Sequence, residues 1–530
     1  MLGNVLDKVL HEDEELIYEE SKNREAVQKE KSGIDTKVIV FSIVIFLIAL
    51  APRLYLLFAN DIQSPGWYDD TFHHWQIAYL TKTVGLGQGF LRLWDFKGME
   101  FFWGLLHPLV LIILFAISGS VNIILTRLLS IFCGSLAIAF LFILVRRYFN
   151  FTAALGAAIF ATFMPVVLYS DTVGMQEPLA LILILGALLL YPKKPIFVGV
   201  LLALAGMVRA DYWIFEAGLF FVILLTKQKF ERKALFAIGW IVPTLLYAKY
   251  LLNYTGNAIY PIYWNYLASV KGEWFADVPL PPGALQTQFI SRIIFVVGLL
   301  GAILMLVKRP RYYLLFLFGL GNLFVLGFML GFGAYIRGYV PRFWIDRLFS
   351  WPYTFTGVVI SSVFLYYLPI KAHVRYIVSL VGWMVLIAVL LLSQLSWIPI
   401  NKYAREARSR YLSERNLAAS VASYYKEGTI LIPEDRPPFV YFLVKDHGIV
   451  GAKLLGQMFD PFFYFKEDPF SDWQKYRETL ISWLKNYNVR LLVVYKDRGR
   501  YQNFIKNEPE MFRVLNNPAE SIQIYEVRPE

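Results

Sequence analysis

The stretch Trp67-Tyr68-Asp69-Asp70-Thr71-Phe72-His73-His74-Trp75 sets two adjacent carboxylates and two adjacent imidazoles among aromatic side chains. Paired carboxylates can hold a divalent cation such as Mg2+ or Mn2+, or one of them can act as a general base toward a hydroxyl. If the segment is helical, Asp70 and His74 stand four residues apart on one face, as do Asp69 and His73. Either pair could then coordinate a metal or hold a phosphate. The cluster follows directly on an apolar run, Lys37 to Phe58. Acids and imidazoles are costly near hydrocarbon, so the expectation is chemistry at a membrane boundary. An ordinary solvated loop is the alternative, and the flanking aromatics, which suit a membrane interface, argue against it.

A second acidic stretch, Tyr169 to Pro178, adds Asp171 and Glu177. Glu177 immediately precedes Pro178, which suits the first turn of a helix. A helix-end acid beside a positive dipole end is the structural alternative. Arg209-Ala210-Asp211 joins two apolar runs with almost no loop and reads as a buried Arg–Asp pair. Gly331 to Ser350 carries Arg337, Arg342 and Arg347. Arginine grips phosphate with two parallel hydrogen bonds, so this loop points to a lipid-linked phosphate or pyrophosphate, with salt bridges to neighbouring acids as the alternative. The aromatics Tyr260, Tyr263 and Trp264 could stack on sugar or lie at the lipid interface. The chain has no G-x-x-x-x-G-K-[ST], H-E-x-x-H or G-x-S-x-G motif. That weakens ATPase, metalloprotease and serine-hydrolase readings.

The elements that must position these groups are apolar. Of 530 residues, 57% are hydrophobic and 17% charged, with mean hydropathy +0.50. A soluble domain averages about 25% charged, so lipid must solvate most of this chain. About eleven spans are predicted: 38–58, 121–145, 152–169, 178–191, 195–208, 212–226, 234–252, 290–307, 312–330, 351–368 and 374–397. The run from Pro108 to Ser118 falls well short of the roughly 20 residues a span needs and reads as a juxtamembrane or re-entrant segment. With the amino terminus inside, the cytoplasmic loops carry Arg146-Arg147, Lys193-Lys194, Lys227 to Lys233, Lys308 to Arg311 and Lys371 to Arg375. All are basic, as the positive-inside rule expects, which accounts for the net charge of +11 without invoking nucleic acid.

This topology predicts a cytoplasmic segment at residues 1–36 and a transmembrane region at 37–399 with external loops 59–120, 170–177, 253–289 and 331–350. The first 35 residues lack an apolar core and a small-residue cleavage site, so the first span is expected to be an uncleaved anchor. Residues 400–530 have no long apolar run. Thr429 to Pro433, Val489 to Tyr495 and Ile522 to Val527 read as strands, and Ser471 to Asn486 as a helix with Tyr476, Leu480 and Leu484 at helical spacing. A small extracytoplasmic α/β domain is the expectation. Cys133 is the single cysteine, so no disulfide forms within the chain. No internal repeat supports an inverted-repeat transporter.

Taken together, an acidic motif in the first external loop, a second in the next, and a carboxy-terminal external domain resemble the GT-C superfamily of integral-membrane glycosyltransferases. Asp70 to His74, Leu91 to Asp95, His107-Pro108 and Ser170 to Glu177 resemble the loops of oligosaccharyltransferase catalytic subunits. Gln176 stands near where that family carries an acid, and the tail lacks its W-W-D-Y-G signature. The general plan is also similar to polyprenyl-phosphate-sugar transferases of the mannosyl and aminoarabinosyl kinds. The resemblance implies a polytopic α-helical enzyme of the plasma membrane with its active site outside. It implies a polyprenyl-phosphate sugar as donor and a glycan, lipid or protein as acceptor. Asp70 would be base or metal ligand, assisted by Asp69, Asp171 and Glu177, with His74 a further metal ligand, and Arg337, Arg342 and Arg347 on the lipid phosphate. Oligosaccharyl transfer to protein and a lipid or glycan flippase are the competing readings.

Overall fold

The computed structural model describes residues 36–59, 70–84, 104–263 apart from 192, 210 and 226–227, residue 374, 400–456 apart from 434–435, 473–496, 501–519 and 522–528. Among the described residues, ten helices come first: α1 (Thr36–Ala59), α2 (Asp70–Val84), α3 (Leu106–Ser118), α4 (Ile124–Tyr148), α5 (Phe151–Phe163), α6 (Pro165–Val173), α7 (Glu177–Leu190), α8 (Pro195–Gly206), α9 (Asp211–Leu225) and α10 (Phe230–Thr255). The tail then runs α11 (Ile400–Tyr424), β1 (Thr429–Ile432), α12 (Pro437–His447), β2 (Leu454–Gly456), α13 (Trp473–Asn486), β3 (Val489–Tyr495), α14 (Gln502–Asn507), β4 (Phe512–Ala519) and β5 (Ile522–Val527). Apart from Val374, the predicted spans from 290 to 397 and the arginine loop lie outside the described residues.

Among the described residues, three helices are long and apolar enough to cross a membrane: Val38–Ala59 within α1, Ile124–Tyr148 and Phe230–Thr255. Isoleucine, valine and leucine side chains on α1 and α10, among them Ile43, Leu47, Leu245 and Leu246, are exposed, as lipid-facing positions are. The span expected at 152–169 is broken. α5 and α6 meet at Met164, bent by 56°. Pro165 explains the break, since it cannot donate to the preceding turn and disfavours helical backbone at Met164. The apolar run at Pro108 is helical but has 13 residues as α3, too short to cross. α7, α8 and α9 have 14, 12 and 15 residues.

The described residues form two compact units. One comprises those within Met1–Asn60, Arg127–Asn253 and Asn257–Asn401; the other those within Asp61–Thr126, Tyr254–Gly256 and Lys402–Glu530. In the first, α7 and α8 are an antiparallel pair joined by a tight basic turn. Arg147, in the last turn of α4, donates to the carbonyl of Leu189 at 2.8 Å. It thereby satisfies the open carbonyl end of α7 and neutralises its negative dipole end.

In the second unit, a five-stranded sheet has the order β2-β1-β3-β5-β4. β1 pairs in parallel with β2 and β3, whereas β5 pairs antiparallel with β3 and β4. All four β1 residues are buried, as a central strand covered on both faces requires. Leu480 and Leu484 of α13 pack with Leu431, Leu492, Val494, Phe504, Phe512 and Tyr525 in one core. The expected strands and the helix are present. α11, β2, α12, α14 and β4 were not anticipated: α11 is rich in charge, and the others are short or irregular in their apolar spacing.

Candidate active site

Asp70 opens α2, so the helical spacing anticipated from Asp70 to His74 holds. Asp70 and His73 are half-buried, and His74 is fully buried. The His74 ring lies against that of His107, in α3, with centroids 4.8 Å apart in an edge-on arrangement. Asp69 lies outside the described residues, as do Leu91 to Asp95. Beyond Asp70 the helix is almost wholly buried, with Phe72, Trp75, Ile77, Ala78 and Leu80 at most 1% exposed. Trp75 donates its indole N–H to the Val121 carbonyl at 2.6 Å.

The second acidic stretch folds differently from the loop expected. Asp171 sits on α6, and everything from Ser170 to Glu177 is buried. Gly174, at φ 95°, ends α6 in the left-handed region and returns its N–H to the Ser170 carbonyl. Arg53 of α1 reaches Asp171: its Nε donates to Oδ2 at 2.8 Å and its Nη2 lies 2.6 Å from the same oxygen. Arg53 Nη1 also donates to the Ala49 carbonyl at 2.8 Å. Arg127 of α4 donates Nε–H to the Thr172 carbonyl at 2.9 Å, and Ser130 donates its hydroxyl to the Met175 carbonyl. Three side chains from two neighbouring helices therefore fix the segment leading to Glu177.

Glu177 begins α7, as Pro178 suggested, and is 5% exposed. Its partner is Arg209, with Nη1 2.5 Å from Oε1. The turn at Arg209 thus engages Glu177, and the side chain of Asp211, its expected partner, lies outside the described residues.

A metal held by Asp70, Glu177 and His74 would need those side chains to converge. Among the described residues, no three His, Cys, Asp or Glu side chains gather to hold an ion. His74 faces a second imidazole and Glu177 faces a guanidinium. Arg337, Arg342 and Arg347 lie outside the described residues.

Arg53, Arg127 and Glu216 were not singled out from the sequence. Glu216, in α9, is 2% exposed, and its Oε2 accepts the Trp240 indole N–H at 3.4 Å. All three are ionisable residues inside predicted apolar spans, and that alone marks them as special.

No family model and no curated protein matches the chain. Among solved structures, the apo oligosaccharyltransferase of Archaeoglobus fulgidus aligns at 12% identity and TM-score 0.49, covering 86% of this chain and 69% of that one. Apo ArnT from Cupriavidus metallidurans aligns at 12% identity and TM-score 0.48, covering 93% and 97%. The same ArnT bound to undecaprenyl phosphate gives a TM-score of 0.46.

Proposed function

We propose that this protein is a membrane glycosyltransferase. It would move a sugar from a polyprenyl-phosphate-linked donor to an acceptor on the extracytoplasmic face of the plasma membrane. The observation that carries the reading is the setting of Asp70. Its half-buried carboxylate stands on the first turn of a helix whose next turns are held by buried aromatic contacts. A carboxylate so placed keeps its reach to a hydroxyl while its backbone cannot drift, which a general base requires.

In this mechanism Asp70 takes the proton as the acceptor oxygen attacks the anomeric carbon. The bond from that carbon to the lipid phosphate oxygen breaks, and its electron pair leaves with the phosphate. A single displacement inverts the anomeric configuration. Arg337, Arg342 and Arg347 are assigned to the negative charge developing on the phosphate. Asp69 and Glu177 assist. Asp171, locked to Arg53, is assigned to holding the segment that carries Glu177.

The test uses purified protein in liposomes with labelled polyprenyl-phosphate sugars. Wild type should release free lipid phosphate, whereas a flippase would move the labelled lipid intact. Asp70→Asn should lower transfer at least about 100-fold, the contribution typical of a general base. Near-full transfer by Asp70→Asn would sink this reading.

A further inference from the structure

The helix that begins at Asp70 is buried largely by the carboxy-terminal tail, more than 300 residues further along the chain. The Phe72 ring packs on Tyr411 at 5.1 Å, on Tyr441 at 5.4 Å and on Phe442 at 6.4 Å between centroids. Trp75 meets Tyr441 edge-on at 4.8 Å and stacks on Tyr79 at 5.0 Å. Tyr441 also bonds with its hydroxyl, which accepts the Ile123 N–H at 3.3 Å and lies 3.3 Å from Asn122 Oδ1. One turn further along α2, the Tyr79 hydroxyl accepts the Gly451 N–H at 3.0 Å. Gly451 begins a 3-10 turn, Gly451–Lys453, after α12. The approach is so close that a Cβ on Gly451 would lie 2.8 Å from both Leu80 Cδ2 and Tyr79 Cε1.

Resting on the reading that Asp70 is the reactive carboxylate, we propose that α12 and the Gly451 turn of the tail domain form a clamp that positions it. Tyr79, Tyr441 and Gly451 are its positioning residues. A helix transmits displacement along its axis with little loss. Tyr79 stands nine residues from Asp70, about 14 Å along that axis, so a tilt at the clamp is passed to the carboxylate. A misplacement of about 1 Å is enough to cost a large factor in rate. The tail domain is on this account part of the catalytic apparatus, and its contacts act on turnover.

Tyr79→Phe tests this in the full-length protein, because it deletes the acceptor of the Gly451 N–H and leaves the ring in place. Two readouts are needed. Hydrogen exchange of the α2 amides, followed by mass spectrometry in detergent, should quicken relative to wild type; unchanged exchange overturns the clamp whatever the protein's activity. In liposomes, kcat should fall about tenfold with the donor KM within about twofold, a mispositioning effect on the reacting step. Quickened exchange with kcat unchanged, or a loss seen only in KM, overturns the positioning role. Tyr441→Phe, which removes the hydroxyl bond to Ile123 and keeps the aromatic contacts, should behave alike. Asp70→Asn is run beside them: if it is silent, the assignment of Asp70 fails, and the exchange result still judges the clamp by itself.

Discussion

Arg53 and Asp171 form a buried ion pair, Nη2 to Oδ2 at 2.6 Å, with the two side chains 0% and 5% exposed. It joins the first long helix to the last turn of α6, across 118 residues. Removing one partner would strand the other charge, whereas removing both would not. Arg53→Met should therefore cost ~3–5 kcal/mol, seen as a lower melting temperature and yield in detergent. The double variant Arg53→Met/Asp171→Leu should recover most of that loss. If the double variant is as unstable as the single one, the pair is not the source of the effect.

Glu177 and Arg209 allow stability to be separated from chemistry. Glu177→Gln leaves the half-buried Arg209 without its carboxylate and should lower both the melting temperature and transfer. Adding Arg209→Gln removes the stranded charge and should restore the melting temperature. Transfer should stay down by about 100-fold in the double variant if the Glu177 carboxylate assists the reaction. Full recovery of both would make Glu177 purely structural.

Gly134 makes room for Asp171, since a Cβ there would collide with the Asp171 carboxylate. Gly134→Ala should push Asp171 off Arg53 and cost about 1–3 kcal/mol, the scale of overpacking. Gly186 offers a control on α7: a Cβ there would meet Leu201 at 3.5 Å, an ordinary contact. Gly186→Ala should be neutral or stabilise by up to about 1 kcal/mol, through helix propensity. Thermal melts of the two variants side by side decide the matter.

In the tail domain, Arg436 donates Nε–H to Glu414 Oε2 at 3.0 Å and Nη2–H to Oε1 at 2.6 Å. Burial works against its charge, but Glu414 and the Tyr495 hydroxyl outweigh that and hold its pKa above the usual arginine value. Glu414→Gln should cost about 1.5–3 kcal/mol by weakening charge-assisted bonds. Faster amide exchange in β1 of the full-length chain would report it. Tyr495→Phe removes only a 3.4 Å bond and keeps the ring beneath the guanidinium, so its effect should stay below about 1 kcal/mol.

Much of the local structure could be read from the residues. The four-residue spacing of Asp70 and His74 proved helical, Glu177 opens a helix before Pro178, and three tail strands lie where β-branched and aromatic runs place them. Each depends on neighbours within a few positions, which periodicity and turn chemistry report directly. The loop expected around Asp171 is helical as far as Val173 and buried throughout, because Pro165 breaks the preceding helix and Arg53, Arg127 and Ser130 draw the segment in. Nothing within a few residues of Asp171 signals those partners.

The sequence by itself determined which side chains could do chemistry and that charges such as Arg53, Arg127 and Glu216 lie inside apolar runs. Those choices depend on residue type and on the cost of ions near hydrocarbon, both local properties. Only the tertiary structure decided whom each charge faces. Asp171 meets Arg53, Glu177 meets Arg209, and Tyr79 meets a backbone N–H 372 residues away. Such pairings arise from how helices cross and dock, and a linear pattern of residues carries no distance between segments so far apart.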